Sequence, residues 1–294
     1  MIINLVLIAL ITVCILLILI AWYIASIIIK QPREVRPQDW ATHNLHPELI
    51  KFRASDGIEL SGAFISGSSK ATIIMLHGYG HSKTQLLPQA CFLNQAGFNV
   101  FLFDFRASGE SAGEYITFGE EEQKDLVGAV HYLHSRKDID HSRIGIFGFS
   151  MGGSVALLKS GELKEIKAVV VDSSYGEFHS LIESNFKQYL GGMPFFPLGH
   201  LVLYIIKVRT GAYFGNIRPL ESISSLKDKP LLVIHGLQDK TVPVWDAIKI
   251  HASAHGPAEL MLVQGAGHNT TYSSAGEKYV KKILGFFKTY LSEI

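Results

Sequence analysis

Cysteine is nearly absent from this sequence. Cys14 and Cys91 are its only two in 294 residues. Cys14 sits in an apolar run and Cys91 far downstream, so no cross-linked framework holds the fold. An excess of charge of one sign is missing too: 27 Lys and Arg stand against 26 Asp and Glu, for a net charge of +1. A near-neutral chain has no electrostatic footprint for phosphates, which argues against a nucleic-acid partner. There is no internal repeat and no low-complexity tract. Metal-binding signatures are equally scarce. His251 and His255 have the i, i+4 spacing of zinc ligands, but no H-E-x-x-H glutamate accompanies them and Gly256 follows as a helix stop.

Charge is most conspicuously missing between Ile2 and Ile29, where no Asp, Glu, Lys or Arg occurs. As a helix this run would be about 42 Å long, against ~30 Å for a bilayer's hydrocarbon core. Trp22 and Tyr23 suit an interface, and Lys30, Arg33 and Arg36 follow at once. Residues 1–30 are therefore expected to form a transmembrane anchor. A cleaved signal peptide is the competing reading, disfavoured because the run is too long and lacks a small-x-small cleavage site. The positive charges after the run place the following domain in the cytoplasm, by a small margin given Glu34 and Asp39. Residues 31–47, with three prolines, read as a linker.

From residue 48 to 294 short β-rich runs alternate with helical patterns. Phe52 to Ile65 reads as a hairpin around Asp56-Gly57. Ala71–Leu76, Asn99–Asp104, Ile144–Gly148, Ala168–Asp172, Leu231–His235 and Glu259–Val263 read as strands, apolar enough to be buried on both faces. Helical stretches such as Gly119–Arg136 and Ser154–Ser160 lie between them. This alternation predicts an α/β fold, a mostly parallel sheet with helices on both faces. About fifty residues, 179–229, interrupt the rhythm and are expected to form an inserted cap. Its apolar residues, among them Phe186, Phe195, Phe196, Leu201 and Tyr204, have three readings: the cap's own core, an acyl-binding pocket or a membrane contact.

The chemistry centres on Gly148-Phe149-Ser150-Met151-Gly152. It follows a strand and precedes a helical run, the context in which G-x-S-x-G puts a serine on a sharp turn at the carboxyl end of a sheet. A serine hydroxyl needs a base. His268, in Gly265-Ala266-Gly267-His268 after the last strand, has the position for it. Asp239, in the loop after Leu231–His235, is the expected acid that orients the histidine, giving the chain order Ser150, Asp239, His268. Asp172 is the rival acid. Backbone N–H groups of Tyr79, in His77-Gly78-Tyr79-Gly80, and of Met151 are expected to form the oxyanion hole. His77 reads as a structural loop residue. For His81 two roles stay open, pocket lining and a solvated loop position.

These motifs, with Asp104-Phe105-Arg106-Ala107-Ser108-Gly109-Glu110-Ser111 between them, resemble the α/β-hydrolase superfamily from roughly Phe52 to the C-terminus. An N-terminal apolar helix with a small cap is similar to its membrane-anchored Bem46-like and serine aminopeptidase-like members. The resemblance implies two-step acyl transfer through an acyl-enzyme on Ser150, with no cofactor and no metal. It also implies that Asp104 and Arg106 fix a turn rather than act in catalysis. Ala107 departs from the pattern, which usually has glycine there. The expected substrate is a carboxylic ester or thioester of small-molecule or lipid-like character. A peptidase or amidase with the same triad and, less favoured, a non-catalytic binding protein of the same fold are the alternatives.

Overall fold

The computed structural model describes residues 2–33, 40–189, 191–192 and 194–291. Glu34, Arg36 and Asp39, on which the linker and orientation readings draw, lie outside them. Helix α1 (Ile2–Ile29) comes first. Eight strands then form one sheet: β1 (Glu48–Arg53), β2 (Glu59–Ile65), β3 (Thr72–Leu76), β4 (Asn99–Phe103), β5 (Ile144–Phe149), β6 (Ile166–Asp172), β7 (Leu231–Gly236) and β8 (Ala258–Val263). Their spatial order is β1-β2-β4-β3-β5-β6-β7-β8. The pairings β1–β2 and β2–β4 are antiparallel and every other is parallel. Each expected strand lies in this sheet, and the hairpin turns at Gly57, whose φ of +91° suits a residue without a side chain.

The sheet is parallel and central because its strands are apolar on both sides. In β3, Ile74 and Leu76 enter one core while Ile73 and Met75 enter the other. Strands β5, β6 and β7 repeat this division, with Ile146, Val169 and Val233 on the first side and Phe147, Val170 and Leu232 on the second. Helices α3 (Glu122–Ser135), α4 (Met151–Lys159) and α8 (Val244–Ala252) cover the first face, and α2 (Leu87–Gln95) and α10 (Glu277–Leu291) the second. Each large apolar side chain so buried contributes about 1.5–3 kcal/mol. Helix α4 begins directly after Ser150, three residues earlier than the sequence pattern suggests, because Met151, Gly152 and Gly153 form its first turn.

Between β6 and β7 lie α5 (Phe178–Tyr189), α6 (Leu198–Thr210), α7 (Pro219–Ser222) and two 3-10 turns. Val202, Ile205 and Ile206 of α6 join Phe178, Phe214 and Ile217 in the first core. Helix α1 packs on α6, with Ala21, Ala25 and Ile29 fully buried. Arg209 of α6 donates to Ser26 Oγ at 2.6 Å and stands 4.7 Å from the Trp22 ring centroid. The start of the expected linker is tied down as well. Gln31 donates to Tyr79 Oη at 2.6 Å, and Arg33 donates to the carbonyls of Ser111 and Gly113. The last short helix, α9 (Thr271–Ala275), precedes α10.

Candidate active site

Parallel strands deliver their C-terminal ends to one edge of the sheet, and three of those ends meet here. Strand β5 ends at Phe149 and is followed at once by Ser150, which has φ +51° and ψ −116°. A side-chain-bearing residue in this region is strained by about 1–3 kcal/mol. The neighbours hold it there: Ser150 N–H donates to the Asp172 carbonyl at 2.8 Å, and the Ser150 carbonyl accepts from Ser154 N–H at 3.0 Å. Glycine is required beside it. A Cβ on Gly152 would stand 2.2 Å from the Leu76 carbonyl oxygen, and one on Gly148 2.6 Å from that of Gly152. The motif's glycines thus let β5, β3 and α4 converge under the serine.

Strands β7 and β8 are neighbours in parallel register, Gly236 opposite Val263. Their following loops are joined by Gln238 N–H donating to the Ala266 carbonyl at 2.8 Å. One loop carries Asp239 and the other His268. Asp239 Oδ1 accepts from Thr241 and Val242 N–H at 2.8 and 2.9 Å. Its Oδ2 lies 2.7 Å from His268 Nδ1. A carboxylate cannot donate, so Nδ1 carries the proton and Nε2 is the acceptor. Nε2 lies 2.9 Å from Ser150 Oγ. The Asp239 side chain is fully buried, while Ser150 is 8 % and the His268 side chain 15 % exposed. The carboxylate is therefore shielded while the serine hydroxyl and the imidazole reach the cavity.

Asp172, the rival acid, is turned elsewhere. Its Oδ2 accepts from Thr271 Oγ1 at 2.7 Å and Tyr279 Oη at 2.8 Å, and Oδ1 accepts from Ser173 Oγ. Burial raises its pKa above the usual carboxylate value. His235 lies behind Asp239, its Nε2 donating to the Val242 carbonyl at 2.9 Å and standing 3.4 Å from Asp239 Oδ2.

A cavity of about 530 Å³ opens on Ser150 and His268, within the range of small-molecule sites. Tyr79, Met151 and His81 line it. The Tyr79 ring stacks on Phe118 at 4.6 Å, and its hydroxyl donates to the Ile28 carbonyl at 2.8 Å. His77 is buried under this loop, with Nδ1 2.7 Å from the Gly78 carbonyl and Nε2 accepting from Phe105 N–H at 3.0 Å. Burial pushes its pKa down to about 4, so it is a neutral strut.

The Asp104–Ser111 segment is a charged knot below the site. Asp104 accepts from buried Lys83 at 2.7 Å, and Arg106 bonds Asp125 at 2.7 Å and Asp56 at 3.0 Å. Ala107 has φ +57°, the left-handed conformation that explains why glycine is usual there. Two groups of residues escape the sequence reading. Lys83 has no motif to mark it. Ile24 and Ile28 of α1 line the cavity beside Ser150, and the one hint is the Ala21–Ala25 spacing, which lets helices approach closely.

The serine aminopeptidase (S33) family profile matches residues 67–192, and that of the prolyl oligopeptidase family matches residues 199–293. The Pyrococcus furiosus esterase Pf2001 is 30% identical, with 90% of this chain and 99% of that one covered at a TM-score of 0.77. The α/β-hydrolase domain-containing protein WAV2 of Arabidopsis thaliana is 28% identical over 85% of this chain and 81% of its own. An acylaminoacyl peptidase of Pyrococcus horikoshii shares the fold at 18% identity, with 85% of this chain and 42% of that one covered and a TM-score of 0.66.

Proposed function

Since the chain belongs to the α/β-hydrolase superfamily, we propose that it is a serine hydrolase cleaving carboxylic esters or thioesters at Ser150. The observation that carries this reading is His268 held between Asp239 at 2.7 Å and Ser150 Oγ at 2.9 Å. Ser150 Oγ attacks the acyl carbonyl as its proton passes to His268 Nε2. Asp239 keeps the imidazole in the accepting tautomer and stabilises the imidazolium that forms. The tetrahedral oxyanion takes backbone N–H bonds from Tyr79 and Met151, each such donor worth about 2.7–4 kcal/mol in the transition state. His268 returns the proton to the leaving alcohol or thiol, and the acyl group stays on Ser150. Water, deprotonated by the same histidine, then releases the acid and restores the serine.

A peptidase or amidase reading uses the same residues, and the S33 profile match favours it. Two observations favour esters: the resemblance to an esterase at 30% identity and a cavity wall dominated by Phe118, Phe149, Phe178 and Leu181, which offers an acyl chain apolar contact. In this reading 179–229 is a cap over the acyl pocket. Helix α1, long and apolar enough to cross a membrane by length and composition, is the anchor of a hydrolase domain on the cytoplasmic side. The discriminating experiment compares kcat/KM for acyl p-nitrophenyl esters and aminoacyl p-nitroanilides. Esters are expected to be preferred by at least a hundredfold, and an equal or reversed preference selects the peptidase. Protease digestion of sealed, oriented vesicles tests the side, with protection from protease on the cytoplasmic face contradicting it.

A further inference from the structure

Helix α1 is divided in two by its burial. Residues 2–20 are exposed apart from half-buried Leu17, whereas Ala21, Ala25 and Ile29 are fully buried against the domain. The free part, at 1.5 Å per residue, is about 28 Å long, close to the ~30 Å of a hydrocarbon core. With α1 as the anchor proposed above, docking begins where the hydrocarbon ends. The docked turns are held by polar bonds as well as packing. Ile116 N–H donates to the Ile29 carbonyl at 3.0 Å, and Tyr79 Oη donates to that of Ile28 at 2.8 Å.

The same turns form part of the cavity. Ile24 and Ile28, one helical turn apart, face it together with Ser150, Tyr79 and Phe178. They lie in line along α1, Ile24 on the side of the free, apolar segment and Ile28 on the side of Tyr79. An acyl chain reaching from Ser150 along Ile28 and then Ile24 thus runs toward the plane where the hydrocarbon starts, over side chains that carry no charge. A soluble short-chain ester has no use for this wall.

We propose that α1 is a specificity element of the active site as well as an anchor, and that the substrate is a membrane-resident long-chain acyl ester. Its chain passes from the bilayer along Ile24 and Ile28 while its carbonyl reaches Ser150. This rests on the serine-hydrolase reading above and deepens it by naming where the acyl chain lies and where it comes from.

The test uses the full-length protein in phosphatidylcholine vesicles, with palmitoyl and butyryl esters of 4-methylumbelliferone as probes. Rates are normalised to fluorophosphonate-reactive sites, which removes any misfolded fraction from the comparison. The wild type is expected to cleave both esters. Ile24→Trp, which fills the wall, is expected to lower the palmitoyl-to-butyryl ratio at least tenfold. Ile27→Trp, on the exposed side of the same turns and not lining the cavity, is expected to keep the ratio within twofold. A ratio that Ile24→Trp changes by less than twofold, or that Ile27→Trp lowers as much as Ile24→Trp does, overturns the proposal. So does a wild type that cleaves only the butyryl ester, which leaves the serine-hydrolase reading standing. A wild type that neither labels nor cleaves either ester defeats both.

Discussion

Asp239→Asn tests the assignment of the acid more sharply than a truncation would. The Asp239 oxygens have different partners: Oδ1 accepts two backbone N–H bonds at 2.8 and 2.9 Å, and Oδ2 faces His268 Nδ1 at 2.7 Å. An asparagine keeps its carbonyl oxygen toward the two amides, so its NH₂ group must face Nδ1. Two donors at that distance repel, and the imidazole relaxes by moving its proton to Nε2. Nε2–H then points at Ser150 Oγ, 2.9 Å away, and can no longer accept the serine proton. The tautomer penalty known for such triads is about 10⁴ in kcat, or about 5.5 kcal/mol of barrier. The assay is kcat and KM for a short acyl p-nitrophenyl ester at pH 7.5, alongside the thermal midpoint. The loss should fall on kcat, with KM and the midpoint little changed. Asp172→Asn, whose partners are Thr271 and Tyr279, should cost less than tenfold in kcat. Asp239→Asn within tenfold of wild type, or a 10⁴ loss in Asp172→Asn alone, would refute the reasoning.

Three further outcomes follow from the geometry. Gly152→Ala puts a Cβ 2.2 Å from the Leu76 carbonyl and 2.7 Å from that of His77. Neither backbone group can retreat easily, so a loss of about 3 kcal/mol should lower the midpoint in detergent by about 6–12 °C; an unchanged midpoint refutes the packing. His77, held near pKa 4 by burial against about 6.5 in the unfolded chain, binds its proton more readily when unfolded. Its contribution of ~3 kcal/mol is complete above pH 6.5 and is lost as pH falls toward 4. The midpoint of the wild type should therefore drop more steeply between pH 7 and 4.5 than that of His77→Gln, and parallel curves count against it. Tyr79→Phe removes the hydrogen bonds to the Ile28 carbonyl and from Gln31. At about 1 kcal/mol for each, calorimetry should find a midpoint lowered by about 4–8 °C, and an unaltered one would mean that this tie between α1 and the domain contributes nothing.

Much of the fold could be read from the residues because parallel strands leave a strong pattern. Runs such as Ile144–Phe147 and Val169–Val171 are apolar on both faces, and little else than a helix-covered sheet buries them. The Ser150 turn was legible for a steric reason, since Gly148 and Gly152 stand where any side chain would collide with backbone. The meeting of Asp239 with His268 followed from chain order, and the sheet brings the two together because β7 and β8 are adjacent. The docking of α1 was hidden. An all-apolar helix has no periodicity to show which face is covered, so Ile24 and Ile28 look like their exposed neighbours. Lys83 was hidden for the opposite reason. It is buried against Asp104, with its second carboxylate partner, Glu110, half exposed, and nothing in its local sequence separates it from a surface lysine.

The central claim, that Ser150 is the nucleophile, is tested most directly by the mass of the protein after reaction with a fluorophosphonate. One adduct per chain, located on the peptide that carries Ser150 and absent from Ser150→Ala together with ester hydrolysis, is the predicted result. An adduct on another residue, or a Ser150→Ala protein that still turns over ester at near the wild-type rate, would contradict it.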